Sequence, residues 1–210
     1  MSRYSSIAIA ALVAIVAIAA GMLLARSLLV NEGASQLALA QATLLKPPRP
    51  LPQFALIDQA SAPFTPERLK NHWSLLFFGF TRCPDVCPLT LGVLAQAQKA
   101  LKDLPPQKQP QVFLVSVDPQ RDNPAQLASY VKFFSPSFGG VTGTQDAIDE
   151  LTSALGVPVA INKLPNGDYT VDHSAAIFLV DPNGALHAMF SSPHLPAVIA
   201  DDYRRIVNAG

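Results

Sequence analysis

The chain has 210 residues, half of them hydrophobic, and its 15 Lys plus Arg are balanced by 15 Asp plus Glu. That composition supports one ordinary domain with a buried core plus a terminal attachment. Zero formal net charge leaves no basic surface to neutralise phosphates, which excludes nucleic acid as a partner.

Residues 7–25 form an uncharged run of Ala, Ile, Val and Leu bracketed by Arg3 and Arg26. As a helix such a run is long enough to cross the hydrocarbon core of a bilayer, so residues 1–26 are expected to be an N-terminal transmembrane anchor. The small residues of Ala38-Leu39-Ala40 offer the alternative of a cleaved leader. With so short a tail before the span, the remaining chain is expected on the extracytoplasmic, periplasmic or equivalent side, where conditions are oxidising. From Asn31 the chain is a stretch of small and polar residues closing in the proline-rich Lys46-Pro47-Pro48-Arg49-Pro50-Leu51-Pro52, and residues 27–51 read as an extended stalk. Residues 52–210 then form the globular domain.

Within that domain short apolar runs alternate with amphipathic stretches, the pattern of an α/β fold with strands joined by helices. Residues 73–80 are a dense apolar run of buried-strand type. Residues 88–104 carry Leu94, Ala97, Leu101 and Leu104 at helical spacing, ended by Pro105-Pro106. A second buried strand covers 112–117. Asn123-Pro124 opens a helix to about Phe134, and Thr144 caps another that stops at Gly156. Apolar runs 175–180 and 185–190 flank the turn Asp181-Pro182-Asn183-Gly184 and predict a hairpin. A last helix covers about 196–207. The order is that of a thioredoxin-like fold, with the helix at 145–155 and short strands on either side of Pro165-Asn166-Gly167 as an insertion.

The only two cysteines lie in Thr81-Arg82-Cys83-Pro84-Asp85-Val86-Cys87-Pro88, between the buried strand and a helix start. Open α/β sheets place their sites there, and a helix N-terminus favours thiolate over thiol. Three intervening residues leave a metal site, a redox dithiol and a structural bridge all open, although a staple across so short a loop adds little. His173, in Tyr169-Thr170-Val171-Asp172-His173-Ser174 and just before a core strand, is the candidate third ligand. Two thiolates and an imidazole suit Cu(I) as a three-coordinate site, or Cu(II) with an added oxygen, whereas structural zinc normally takes four protein ligands. A lone histidine hydrogen-bonded at a strand end is the plainer alternative. His72, His187 and His194 read as surface or capping residues. Asp118 and Asp122 read as loop and helix-start residues, because carboxylates match hard cations.

The Gly79-Phe80-Thr81 lead-in to Cys83-Pro84-Asp85-Val86-Cys87-Pro88, the Ser116-Val117-Asp118-Pro119 segment with Arg121-Asp122, and Asp172-His173-Ser174 together resemble the Sco/SenC family of copper proteins. Many members carry threonine or serine where this chain has Asn123. The resemblance implies a thioredoxin-like fold and copper held by Cys83, Cys87 and His173. It also implies a metallochaperone role in building the copper A centre of cytochrome c oxidase. The partners would be the oxidase's copper-A subunit, the membrane and another copper chaperone. The same sulfurs serve the alternative of a membrane-tethered thiol-disulfide oxidoreductase that reduces the oxidase's ligand cysteines. A peroxidase-like use of one cysteine beside Thr81 and Arg82 is a third reading.

Overall fold

The computed structural model describes residues 12–25, 38–165 and 167–209. Residues 12–25 are helical (α1) and their apolar side chains, Leu12 through Leu24, are exposed. Among the described residues no helix is long and apolar enough to cross a membrane. The rest of the expected span and the stalk up to residue 37 lie outside the described residues. The chain divides into two units, Met1–Ala38 and Leu39–Gly210.

The second unit is built on strands whose sequences cannot face water. Strand β4 (Ser74–Gly79) is buried at every position, as is β9 (Ile177–Val180), and β5 (Gln111–Ser116) is buried at all but its first. Continuous burial means that both faces of the central sheet are covered, which is why these runs lack polar alternation. They sit in an eight-stranded mixed sheet with β1 (Ala42–Pro50), β2 (Leu56–Asp58), β3 (Pro63–Phe64), β6 (Gly139–Thr142) and β10 (Ala185–Phe190). The strand order is β1-β10-β9-β4-β5-β6-β2-β3. Strands β4, β5 and β6 run parallel, and β9 lies antiparallel to β4 with Phe77 opposite Ile177.

The helices start and stop where their local chemistry dictates. Helix α2 (Val86–Ala100) buries Cys87, Leu91, Leu94 and Ala97 on one face and packs on α5 (Pro196–Ala209). Helix α3 (Pro124–Phe134) opens with a capping box in which Asn123 accepts from the Gln126 amide and Gln126 answers the Asn123 amide. Helix α4 (Gln145–Leu155) is capped by Thr144 and ends on Gly156 at φ 69°, a left-handed conformation that glycine adopts without penalty. Strands β7 (Val159–Lys163) and β8 (Tyr169–His173) form a separate two-stranded sheet.

Three features differ from the sequence expectation. The end of the expected stalk is β1, paired antiparallel with β10, so the spacer stops before Ala42. Prolines are tolerated because β1 is an edge strand, and the pairing shifts register between Leu44 and Arg49, where Pro47 and Pro48 have no N–H to give. Helix α2 begins at Val86 rather than Pro88, which places Cys87 inside its first turn. His173 ends strand β8 rather than lying in a loop.

One buried carboxylate ties β1 to the helical layer. Asp202 on α5 is 1% exposed and accepts the backbone N–H groups of Ala40, Gln41 and Ala42 at 2.7–3.1 Å. Charge-assisted bonds of this kind leave an expensive set of unmet donors if the acceptor is removed. Asp202→Ala should therefore destabilise the domain by about 2–4 kcal/mol in denaturant unfolding and raise amide exchange at residues 40–44 ahead of β4. Exchange at 40–44 unchanged from the native chain would show that β1 is held by its ladder alone.

Candidate metal centre

The site forms where strand ends converge. Strand β4 delivers Gly79 and Phe80 to the cysteine loop, and the antiparallel β9 begins beside that end, so the residues just before β9 arrive over the loop. Cys83 Sγ, Cys87 Sγ and a ring nitrogen of His173 all lie within 4.8 Å of one another. They are the only group of three or more His, Cys, Asp or Glu so clustered among the described residues. Both cysteines are free thiols, Cys83 being 9% exposed and Cys87 fully buried. The Cys87 amide, at the start of α2, donates to Cys83 Sγ at 3.4 Å.

The histidine is held in one tautomer. Its Nδ1 lies 3.0 Å from the Ser174 carbonyl oxygen, which can only accept, so Nδ1 carries the proton. Burial pulls the imidazole below its ordinary pKa, against the opposing effects of the Ser174 bond and Asp172, and so keeps it neutral. The bare Nε2 then faces Cys87 Sγ at 3.2 Å. The aromatic edges of Phe77 and Phe80, with ring centroids 5.9 and 5.7 Å from the imidazole, close its sides. An Nδ1–H donated to a carbonyl with Nε2 free is the arrangement of a metal-ligating histidine.

The expected thiolate is not found at Cys87. Burial drives its thiol far above the ordinary cysteine pKa, outweighing the lowering effect of the backbone bond from Phe80. Desolvation of a sulfur with no exposed surface exceeds what one helix N-terminus supplies. Gly79 permits that burial, since a Cβ there would stand 2.7 Å from Cys87 Sγ.

Asp118 and Asp122 take loop roles, as expected. Asp122, fully buried, accepts from the Thr81 amide at 3.0 Å, the Thr81 hydroxyl at 2.5 Å and the Ser116 hydroxyl at 2.7 Å, and so pins the cysteine loop to the end of β5. Asp118 accepts from Arg121 Nε and from the Tyr169 hydroxyl. His187 lies 3.4 Å from Asp181 and edge-on to Trp73, and His194 Nε2 lies 2.6 Å from the Ala175 carbonyl oxygen; neither joins the centre.

A family model described as SCO1/SenC matches residues 43–208. The chain belongs to the SCO1/SenC family. A putative copper-binding protein of Stutzerimonas stutzeri is 40% identical over 156 residues, covering 73% of this chain and 75% of that protein. The mitochondrial SCO2 homologue of Bos taurus is 35% identical over 153 residues, covering 72% of this chain but 58% of the bovine protein. The crystal structure of Arabidopsis thaliana ScoI with copper bound superposes with a TM-score of 0.70 at 31% identity, covering 75% of this chain and 98% of that one. In this SCO1/SenC domain Gly79 and Phe80, part of the motif, and Phe77, outside it, take packing roles that motif reading does not assign: they shape the sulfur and imidazole pocket. Their signal in the sequence is the small residue beside aromatics at a strand end that leads into a cysteine.

Cys87, buried and protonated, should react with iodoacetamide near neutral pH at least about 100-fold more slowly than an unhindered thiol, because each unit of raised pKa removes tenfold of thiolate. Peptide mapping after timed alkylation measures this, and Cys83 should be labelled first. Rapid labelling of Cys87 in the folded chain would contradict the buried thiol.

Proposed function

We propose that this protein is a copper metallochaperone that binds one copper ion through Cys83, Cys87 and His173 and assists assembly of the copper A centre of cytochrome c oxidase. The observation that carries the reading is the convergence of two sulfurs and one neutral imidazole nitrogen within 4.8 Å. The donor set fits copper: soft sulfur selects Cu(I), imidazole completes a three-coordinate site, and no fourth protein ligand of the kind structural zinc prefers is clustered with them among the described residues. Relatives named for copper binding and copper-bound structures of the same family support the choice of metal. The oxidase role rests on the family resemblance. The oxidase's copper-A subunit is the proposed recipient, and another copper chaperone the proposed donor.

The domain's own contribution is preorganisation. Asp122 holds the cysteine loop, Ser174 holds the imidazole tautomer, and Phe77 and Phe80 flank the imidazole ring. Cys87 must lose its proton to become a ligand, so copper uptake is linked to pH. We further propose that residues 7–25 anchor the chain in a membrane with the domain on the extracytoplasmic side. The uncharged 7–25 run and the exposed apolar faces of α1 support this.

His173→Ala should fold normally but bind Cu(I) about 10- to 100-fold more weakly and lose the charge-transfer colour of a Cu(II)-thiolate centre, while Cys83→Ser or Cys87→Ser abolishes tight binding. The native affinity should rise with pH between about 6 and 8, in the direction set by proton release from Cys87. Competition titration with a chromogenic Cu(I) chelator reads both. An unchanged affinity in His173→Ala would remove it as a ligand.

The same two sulfurs permit the second reading, a membrane-tethered thiol-disulfide oxidoreductase. In that reaction the Cys83-Cys87 dithiol gives two electrons and two protons to a partner's disulfide and is left as a disulfide. Free thiols grouped within 4.8 Å favour it as a possibility of the same site. In cells lacking the native gene, His173→Ala should lower cytochrome c oxidase activity as far as Cys83→Ser does, and added copper should restore part of it. Normal oxidase with His173→Ala alongside none with Cys83→Ser would establish the reductase instead.

A further inference from the structure

Strand β8 carries His173 at its end, yet the β7–β8 hairpin belongs to neither edge of the main sheet. It is poorly anchored by apolar burial: four of the five β7 residues are exposed, and in β8 only Val171 is buried. Some other interaction must fix the distance between His173, delivered by this hairpin, and the cysteines, delivered by β4 and α2.

Arg121 supplies it. Its guanidinium lies 3.7 Å from the centre of the Tyr169 ring, at the start of β8. Its Nη1 donates to the Tyr169 carbonyl oxygen at 2.9 Å and to Asp168 Oδ1 at 3.1 Å, while Nε donates to Asp118 Oδ2. Tyr169 returns the contact by donating its hydroxyl to Asp118 Oδ1 at 2.7 Å. Asp118 and Arg121 both belong to the loop after β5, so a closed ring of charge-assisted bonds joins that loop to the hairpin. The guanidinium also lies 5.8 Å from the Phe80 ring, which stands edge-on to the His173 imidazole.

The ring is costly as a mere fastener. Arg121 is 12% exposed and Asp118 3%, so both charges are largely desolvated, and Arg121 Nη2 is buried without a hydrogen-bond partner. Buried ion pairs add little net stability over apolar packing, but they restrict geometry to one register. Tyr169 is four residues from His173, about 13 Å along an extended strand, so fixing Tyr169 and burying Val171 leaves the end of β8 little freedom.

We propose that Arg121, with Asp118 and Tyr169, is a positioning residue for His173, clamping the β7–β8 hairpin so that the imidazole stands over the cysteine pair. The inference deepens the copper reading and rests on it for its metal-binding arm. Arg121 touches neither sulfur nor imidazole; it acts through the strand and through Phe80.

The test combines a metal-free and a metal-bound readout on the full chain. In the copper-free protein, NMR should show contacts between the His173 and Phe80 ring protons; these should weaken or vanish in Arg121→Ala, with faster amide exchange at residues 169–173. For Cu(I), Arg121→Ala should lose about 10- to 100-fold in affinity, the range for outer partners of a metal ligand. The double variant Arg121→Ala/His173→Ala should be no weaker than His173→Ala alone, since both changes remove the same contribution. Arg121→Lys, which keeps the charge but neither the forked donation nor the stack, should resemble Arg121→Ala and decides the matter if the alanine variant does not fold. Tyr169→Phe should shift the same readouts in the same direction by less. Losses that multiply in the double variant, or His173–Phe80 contacts retained in both Arg121 variants, would overturn the clamp. If the native chain and His173→Ala bind Cu(I) equally, the copper reading fails, and the metal-free contacts still judge the clamp by themselves.

Discussion

His173 meets Cys87, 86 residues away in sequence, because β9 pairs antiparallel with β4. A parallel β9 would begin beside the opposite end of β4 and carry its preceding residues away from the cysteine loop. The antiparallel ladder instead sets the start of β9 against the C-terminal end of β4, where the chain turns into the loop and α2. Both strands are buried throughout, so their register is enforced by the core: a slip of one residue would move every side chain to the opposite face and into packing shaped for its neighbour. The candidate centre is thus referenced to strands buried along their whole length.

Rigidity is extended outward by polar groups rather than by further apolar packing. Asp122 fastens the cysteine loop to the end of β5 through three hydrogen bonds, and the Asp118-Arg121-Tyr169 ring fastens the hairpin to the loop that follows the same strand. The two carboxylates are four residues apart, and each holds one side of the centre. Such bonds are directional, so they specify where a sulfur or an imidazole stands, which apolar burial alone does only loosely.

Burial and ligation are in tension at Cys87. A sulfur without solvent and with a strongly raised pKa is inert, whereas a ligand must be a thiolate. The neutral Nε2 beside the sulfur leaves the proton on the thiol, and a soft cation would relieve the tension by replacing that proton. A protonated, shielded thiol between uses also suits a protein proposed to work in an oxidising compartment, since the thiolate is the form that oxidants attack. Gly79 and the aromatic walls therefore serve the chemistry as much as the packing.

The sequence by itself determined the elements whose cause is local. Continuous apolar runs marked β4, β5 and β9; Asn123-Pro124, Thr144 and Gly156 marked helix ends; and the two cysteines with Asp172-His173-Ser174 marked the candidate ligands. Only the tertiary structure decided matters whose cause lies far along the chain. The proline-rich segment 46–50 is extended in any environment, but becomes β1 because β10 offers an open edge and Asp202 offers a carboxylate to the amides before it. Cys87 stands at a helix N-terminus that favours thiolate, yet burial beneath β4 decides the opposite. Arg121 looks like one charge in a loop until β8 brings Tyr169 beneath it. At Cys87 local chemistry states a preference worth about 1 kcal/mol and desolvation, worth several, overrides it, while at β1 and Arg121 distant partners supply hydrogen bonds that nothing local specifies.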